Sequence, residues 1–402
     1  MRVGRLGRQV AAQASRIGAR VARQPRSRVI AMATAIVVMA AGAGTYSVAR
    51  LGTTSDLAAG ARGAPPLRIL SVTPASGTSN VDGDEPVQVA FSAPLAAGSR
   101  LPSVTPKVPG SWQSAGDVMI FTPAVPFRPS TRITVTIPAG SAGVRSATGG
   151  LLAEPRAAHF STGAYSVRRL SELLAKLGYL PVSWRQQDLG RQLPQRVELT
   201  GSRTANEAAL AYSPPPGTFT MDRGYPASLI SVWQPDTYNV LIQAAVMAFE
   251  SEHDMPVNGV ADLALWDAVF RAEAAGEKNS HGYTYAVANK RNPETLTIWH
   301  DGRIVLRSLA NTGIAVSPTV DGTFPVYRRY RSEIMRGTNP NGSHYADPVA
   351  FVSYFNGGDA VHYYARPSYG YPQSLGCVEL PYSAAEQAWR YLTLGVTVTV
   401  TG

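Results

Sequence analysis

Apolar and polar positions follow four different patterns along the chain. Residues 29–49 form one apolar run without a charged side chain. A helix crosses a bilayer with about 20 such residues, so the run predicts a transmembrane anchor or a signal peptide. Residues 67–163 carry short β-like runs at 67–72, 87–91, 118–121 and 133–137, separated by turns rich in Pro and Gly. Short strands at this spacing predict an all-β sandwich. Residues 164–276 change to helical spacing. Val167, Leu170, Leu173, Leu174 and Leu177 form one stripe, and Gly178 is placed to end that helix. Val240, Leu241, Ala244, Ala245, Met247, Ala248 and Phe249 form a second. A short third runs through Leu263, Leu265, Trp266, Val269 and Phe270. The segment 181–235 between the first two is long for a loop and is expected to pack on a neighbouring domain or carry a specific contact. Residues 280–402 return to alternation at 283–287, 296–299, 304–306, 323–327 and 396–400. Asp301-Gly302 is a hairpin turn signal. Ser383-Ala384-Ala385-Glu386 reads as a capping box that opens a helix to about Tyr391.

Length fits this division: 402 residues suffice for three modules and a tail. Residues 50–66, small and polar with Gly and Pro, read as a linker. The net charge of +10 suggests a polyanion partner until it is located. Residues 1–50 hold nine Arg and no Asp or Glu, which leaves 28 basic against 27 acidic side chains in the rest. The remainder has no basic field for nucleic acid. Basic residues on one side of the apolar run make 1–28 a cytoplasmic segment and place the chain from residue 50 onward outside the cytoplasm. An anchor would keep 29–49. A signal peptide would be cut near Ala41-Gly42-Ala43 or Ser47-Val48-Ala49. The long Arg-rich leader favours the anchor. The protein is therefore expected to be membrane-anchored and extracytoplasmic, or secreted if cleaved.

There is no His-x-x-His, no paired Cys and no Gly-rich loop before Lys-Ser/Thr, so no metal or other cofactor is expected. The candidate chemistry lies around the one cysteine, Cys377. Alone, a free Cys is usually a buried hydrophobe. This one ends Ser374-Leu375-Gly376-Cys377, and His362 lies 15 positions upstream. An imidazole to take the thiol proton and a glycine that leaves the sulfur approachable are the parts of thiolate catalysis. Amides at Gly376 and Cys377 are candidate oxyanion donors. Ser374, Arg366 and Tyr354 are candidate substrate contacts. Arg366 suits a substrate carboxylate or is a solvated loop charge. His253, His281, His300 and His344 are assigned no proton transfer, and His159 reads as a surface or strand-end residue.

His362, the loop after it, and Ser374-Leu375-Gly376-Cys377-Val378 resemble the signature of the YkuD-type L,D-transpeptidases. Pro318-Thr319-Val320-Asp321-Gly322-Thr323-Phe324 is similar to that family as well. Tyr363 stands where Gly commonly follows the His, Leu375 where many members have His, and Glu379 where Arg or Asn is common. Leu177-Gly178-Tyr179, Ala245-Val246-Met247-Ala248-Phe249, Pro256-Val257-Asn258-Gly259-Val260 and Leu265-Trp266 resemble the three-helix peptidoglycan-binding module. Phe249 and Trp266 are expected in its core. Gly110-Ser111-Trp112 and the β-like runs up to Ile137 resemble bacterial Ig-like wall modules. The resemblances imply a multi-domain chain: N-terminal transmembrane or signal helix, Ig-like sandwich, helical peptidoglycan-binding domain, mainly-β L,D-transpeptidase domain. They imply a thioester at Cys377, with His362 as base, and 3→3 cross-links between peptidoglycan stems. The donor would be a tetrapeptide stem that loses D-Ala, and the acceptor a side-chain amine. Water as acceptor would give a carboxypeptidase. The implied partners are stem peptides and glycan, with the membrane through 29–49 if uncleaved. Acylation by carbapenems is implied too. A non-catalytic wall-binding scaffold is the alternative.

Overall fold

A computed structural model describes residues 64–188 and 202–402. The segments 1–28 and 29–49 and most of the linker 50–66 lie outside the described residues. Among the described residues no helix is long and apolar enough to cross a membrane.

The first domain has seven strands: β1 (Ile69–Thr73), β2 (Val87–Phe91), β3 (Ser103–Thr105), β4 (Gly110–Ala115), β5 (Val118–Pro123), β6 (Arg132–Ile137) and β7 (Arg156–Ser161). They form sheets of order β1-β2-β5-β4 and β3-β6-β7, paired antiparallel throughout. Alternation explains the faces. Val87, Val89 and Phe91 of β2 point inward, as do Ile133, Val135 and Ile137 of β6, and Phe127 and Phe160 fill the core with them. β4 exposes all its side chains except a half-buried Trp112, so it carries no alternating signal in the sequence.

The second domain runs α1 (Val167–Leu177), β8 (Val182–Gln186), α2 (Arg203–Leu210), β9 (Gly217–Met221), α3 (Ala227–Ser231), α4 (Val240–Glu252) and α5 (Leu263–Ala275). The helix ends have identifiable causes. Gly178 (φ 86°) and Gly276 (φ 72°) end α1 and α5 in the left-handed conformation. Asn239 Oδ1 accepts from the amides of Leu241 and Ile242 at the start of α4, and Asp262 caps α5. Leu170, Leu173, Phe249, Trp266 and Phe270 share the core. In the described parts of the segment 181–235, β8 and β9 pair antiparallel, with α2 between them and α3 after the second. The segment touches both neighbours. Tyr212 OH donates to Phe127 O of the sandwich (2.6 Å), and Tyr225 OH donates to Tyr283 O of the third domain (3.1 Å).

Arg169 of α1 is 1% exposed and pairs with Glu172 (2.8 Å, 0% exposed) and with Glu207 of α2. Burial raises the pKa of Glu172 against the pull of Arg169. Removing one partner leaves a buried cation underpaired, which is far costlier than losing a surface pair. Glu172→Ala is expected to lower stability by about 3 kcal/mol, the low end for such a cut because Glu207 remains. Chemical denaturation measures this, and a loss under about 1 kcal/mol would contradict it.

The third domain contains β10 (Thr284–Asn289), β11 (Thr295–His300), β12 (Arg303–Leu309), β13 (Gly322–Pro325), β14 (Arg328–Thr338), β15 (His344–Asn356), β16 (Asp359–Tyr363), β17 (Val378–Leu380), α6 (Tyr382–Tyr391) and β18 (Thr397–Thr401). One sheet has the order β12-β11-β10-β18-β13 and the other β14-β15-β16-β17. Ile298, Val398, Phe351, Val361, Val378 and Leu380 pack between them, with Ala385 and Ala388 of α6. Asp301 (φ 48°) and Gly302 (φ 73°) turn β11 into β12, as their sequence predicts. The capping box is corrected. α6 begins at Tyr382 behind Pro381, with no side-chain cap, and Ser383 lies inside the helix. The long hairpin β14–β15 is unanticipated because β14 is polar and mostly exposed.

Candidate active site

β16 and β17 are parallel neighbours, with Val361 opposite Val378, His362 opposite Glu379 and Tyr363 opposite Leu380. Val361, Val378 and Leu380 enter the core, so alternation turns His362 and Glu379 to the other face. Cys377 immediately precedes β17. It shares with His362 and Glu379 a cavity of about 880 Å³. The hairpin β14–β15 forms one wall through Glu333, Tyr345, Asp347 and Tyr354.

The segment carrying Cys377 is clamped by the stretch after β12. Asn311 and Glu379 exchange backbone hydrogen bonds (3.0 and 2.9 Å). Ile314 N donates to Ser374 O, Ser374 N to Thr312 O and Thr319 Oγ1 to Gly376 O. Thr312 is held in turn by Glu294, a 1% exposed carboxylate that accepts from its amide (2.6 Å) and its hydroxyl (2.7 Å). Ser374 Oγ donates to Cys377 O (2.6 Å) and accepts from Gly376 N (3.2 Å). Gly376 has φ 119°, and a Cβ there would collide with Asp359 Oδ1. The backbone angle calls for glycine, and any larger side chain would also displace the Asp359 carboxylate.

His362 is 3% exposed, with Nδ1 3.0 Å from Tyr363 O. A carbonyl only accepts, so this contact assigns the ring proton to Nδ1 and leaves the Nε2 lone pair available. Tyr363 takes no left-handed φ. It lies in β16, and its ring packs edge-on against Tyr382 (5.1 Å). A side chain at 363 is compatible with this strand, and the contact to His362 uses only the backbone.

Burial pushes the Cys377 thiol up to about 12, and Asp359, Glu379 and Glu333 push the same way against a hydrogen bond from the Ala360 amide. Burial lowers the pKa of His362, more than the Tyr363 carbonyl and Glu379 raise it. Both shifts favour a thiol and a neutral imidazole at rest over a preformed ion pair. Thiolate absorbance near 240 nm should show no ionisation step between about pH 5 and 9. A step with a midpoint below about pH 8 would contradict this.

The candidate contacts divide. Arg366 gives Nε and Nη2 to the two oxygens of Glu379 (2.8 Å each) and a further bond to Gln373 O (3.1 Å). It is occupied as a brace between the loop and β17, not free for a substrate carboxylate. Tyr354 lines the cavity, but its OH donates to Glu333 (2.7 Å) and its ring lies under Arg328. Ser374 is buried and shapes the Cys377 loop. The Gly376 amide is turned to Ser374, not to the cavity. His344 sits exposed at the start of β15 beside Thr338 and is not among the cavity-lining residues. Sequence reading missed Asp359, Glu333 and Asp347. Single acids in polar stretches carry no signal until the hairpins close. A second cavity, about 940 Å³, lies between α4 and the third domain and holds no thiol. No cluster able to hold a metal occurs among the described residues.

Residues 283–400 match the family model of the L,D-transpeptidase catalytic domain (YkuD), and residues 63–162 match that of the bacterial Ig-like domain. No curated protein matches the chain. Similar solved structures include an L,D-transpeptidase from Mycobacterium smegmatis, at 14% identity over 84% of this chain and 100% of that one (TM-score 0.28). Another is L,D-transpeptidase 3 from Mycobacterium tuberculosis in complex with a faropenem-derived adduct, at 16% identity over 83% and 98% (TM-score 0.28). The catalytic domain of the E. faecium L,D-transpeptidase shares 26% identity over 29% of this chain and 95% of that one (TM-score 0.27). Overlaps this low add nothing to the family matches, which carry the assignment. By those matches, residues 283–400 are an L,D-transpeptidase catalytic domain of the YkuD family, set behind a bacterial Ig-like domain.

Proposed function

We propose that this protein is a cysteine-dependent L,D-transpeptidase that forms 3→3 cross-links in peptidoglycan through a thioester at Cys377. The observation that carries the reading is the placing of Cys377 and a His362 of fixed tautomer in one cavity, within a domain of this family. In the first half-reaction His362 Nε2 takes the thiol proton as sulfur adds to the carbonyl carbon of the donor's third residue. The amide of Cys377 itself is the oxyanion donor in this reading. The C–N bond breaks, and protonated His362 gives its proton to the leaving D-Ala amine. In the second half-reaction an acceptor amine displaces sulfur, and the thiol is restored.

Residues 164–276 act in this reading as the peptidoglycan-binding module. With Phe249 and Trp266 buried, glycan contact falls to its exposed surface and not to these rings. Holding the polymer near the thiol raises the effective substrate concentration. Residues 29–49 would keep the protein at the outer face of the membrane, or be cleaved to release it.

The test is incubation of the full chain with a disaccharide-tetrapeptide and analysis of products by mass spectrometry. A cross-linked dimer with released D-Ala supports the proposal. Tripeptide without dimer makes the enzyme a carboxypeptidase. Neither product, in folded protein that still binds wall, would make it a scaffold.

A further inference from the structure

We infer that Asp359 selects the acceptor: its carboxylate binds the ammonium form of the incoming amine beside the acylated sulfur. The inference rests on the acyl transfer proposed above and adds the residue that decides between amine and water.

The backbone on either side of residue 359 contacts the thiol. Cys377 Sγ lies 3.8 Å from Gly358 O, and the Ala360 amide hydrogen-bonds the sulfur. The Asp359 carboxyl packs against Gly376, next to the nucleophile in sequence, and Asp359 and Cys377 line the same cavity. The other acids of the cavity are engaged. Glu379 is bidentate with Arg366, Glu333 accepts from Tyr354, and Asp347 hydrogen-bonds Tyr364. Asp359 has only a long bond from Asn356 Nδ2 (3.4 Å) and no ion-pair partner among the described residues. Burial pushes its carboxyl up to about 6, so near pH 7 it is mostly ionised yet poorly solvated.

Such a charge opposes the first half-reaction, because it holds the thiol protonated. Once the thioester forms there is no thiolate to repel. A primary amine then arrives at neutral pH as a cation, and an underpaired carboxylate beside the reacting carbon attracts it. The ammonium sheds two protons overall. One passes to His362 Nε2 and on to the departing sulfur, and the other leaves to solvent. The nitrogen lone pair forms the C–N bond as the C–S bond breaks.

The experiment compares the full-length parent with Asp359→Asn at about pH 7.5, acylated with tetrapeptide. The acyl-enzyme is then offered a cationic amine or hydroxylamine, which is neutral at that pH. Acylation should quicken about threefold, because the opposing charge is gone. KM for the cationic amine should rise about tenfold, with products shifting to hydrolysis, while the KM for hydroxylamine stays as in the parent. Equal changes for both nucleophiles, or acylation and aminolysis falling together, would reduce Asp359 to a structural residue and overturn the inference. If the parent forms no acyl-enzyme, the transpeptidase reading itself falls and the inference falls with it.

Discussion

Cys377→Ala abolishes both D-Ala release and transfer to an acceptor, and leaves the protein folded. The chain has no second cysteine to substitute for it. A methyl group has no lone pair, so no thioester can form, and activity should drop to the uncatalysed background. The loss is specific because the thiol makes only weak contacts. Its hydrogen-bond contact with Gly358 O is long, and the surrounding loop is held by Ser374, Thr319 and the backbone of Asn311. Removing one sulfur should change stability by less than about 1 kcal/mol, checked by denaturant unfolding of both proteins. Residual turnover comparable with the parent would place the chemistry elsewhere.

His362→Ala lowers the acylation rate by about 10²–10⁴, the range for losing a positioned base, and changes the pH profile as well as the rate. In the parent, burial lowers the pKa of His362 below its ordinary value of 6.5. The imidazole is then neutral above that lowered pKa, so acylation is flat from about pH 7 to 9 and is lost as pH falls through it. In the variant the plateau disappears. The rate follows thiolate alone, rising about tenfold per pH unit toward the raised thiol pKa near 12. Asp359, itself near 6, titrates close to the same acid limb, and Asp359→Asn separates the two contributions. A parent profile that already climbs steadily with pH would remove His362 from the proton transfer. The same lowered pKa bears on stability. The unfolded chain lets this imidazole charge, so the contribution of His362 to stability falls as pH drops below about 6.5.

Local signals are legible wherever one residue type is forced. Gly178 ends α1, and Asp301-Gly302 makes the turn after β11, because few residues accept those backbone angles. The apolar positions of α1 and α5 can be read because they enter one shared core, and those of α4 because that helix is buried nearly all round, with Leu241 in a second cluster. β14 cannot. Its Arg-rich, mostly exposed strand is held by pairing with β15, and pairing leaves no periodic trace. The start of α6 departs from the capping-box expectation because Pro381 sets the entry geometry without a hydroxyl cap. At the site, the spacing of His362 and Cys377 points to one cavity because the loop between them returns the chain as a parallel neighbour. The Arg366–Glu379 brace and the position of Asp359 depend on that return and on the turn at Asn356 to Asp359, so neither can be read from residue order.

The most direct measurement is the intact mass of the full chain after incubation with a carbapenem, beside Cys377→Ala. An adduct of one carbapenem on the parent and none on the variant is the predicted result, and it would show Cys377 as an acyl-accepting nucleophile. An unmodified mass for a folded parent, or the same adduct on both proteins, would contradict it.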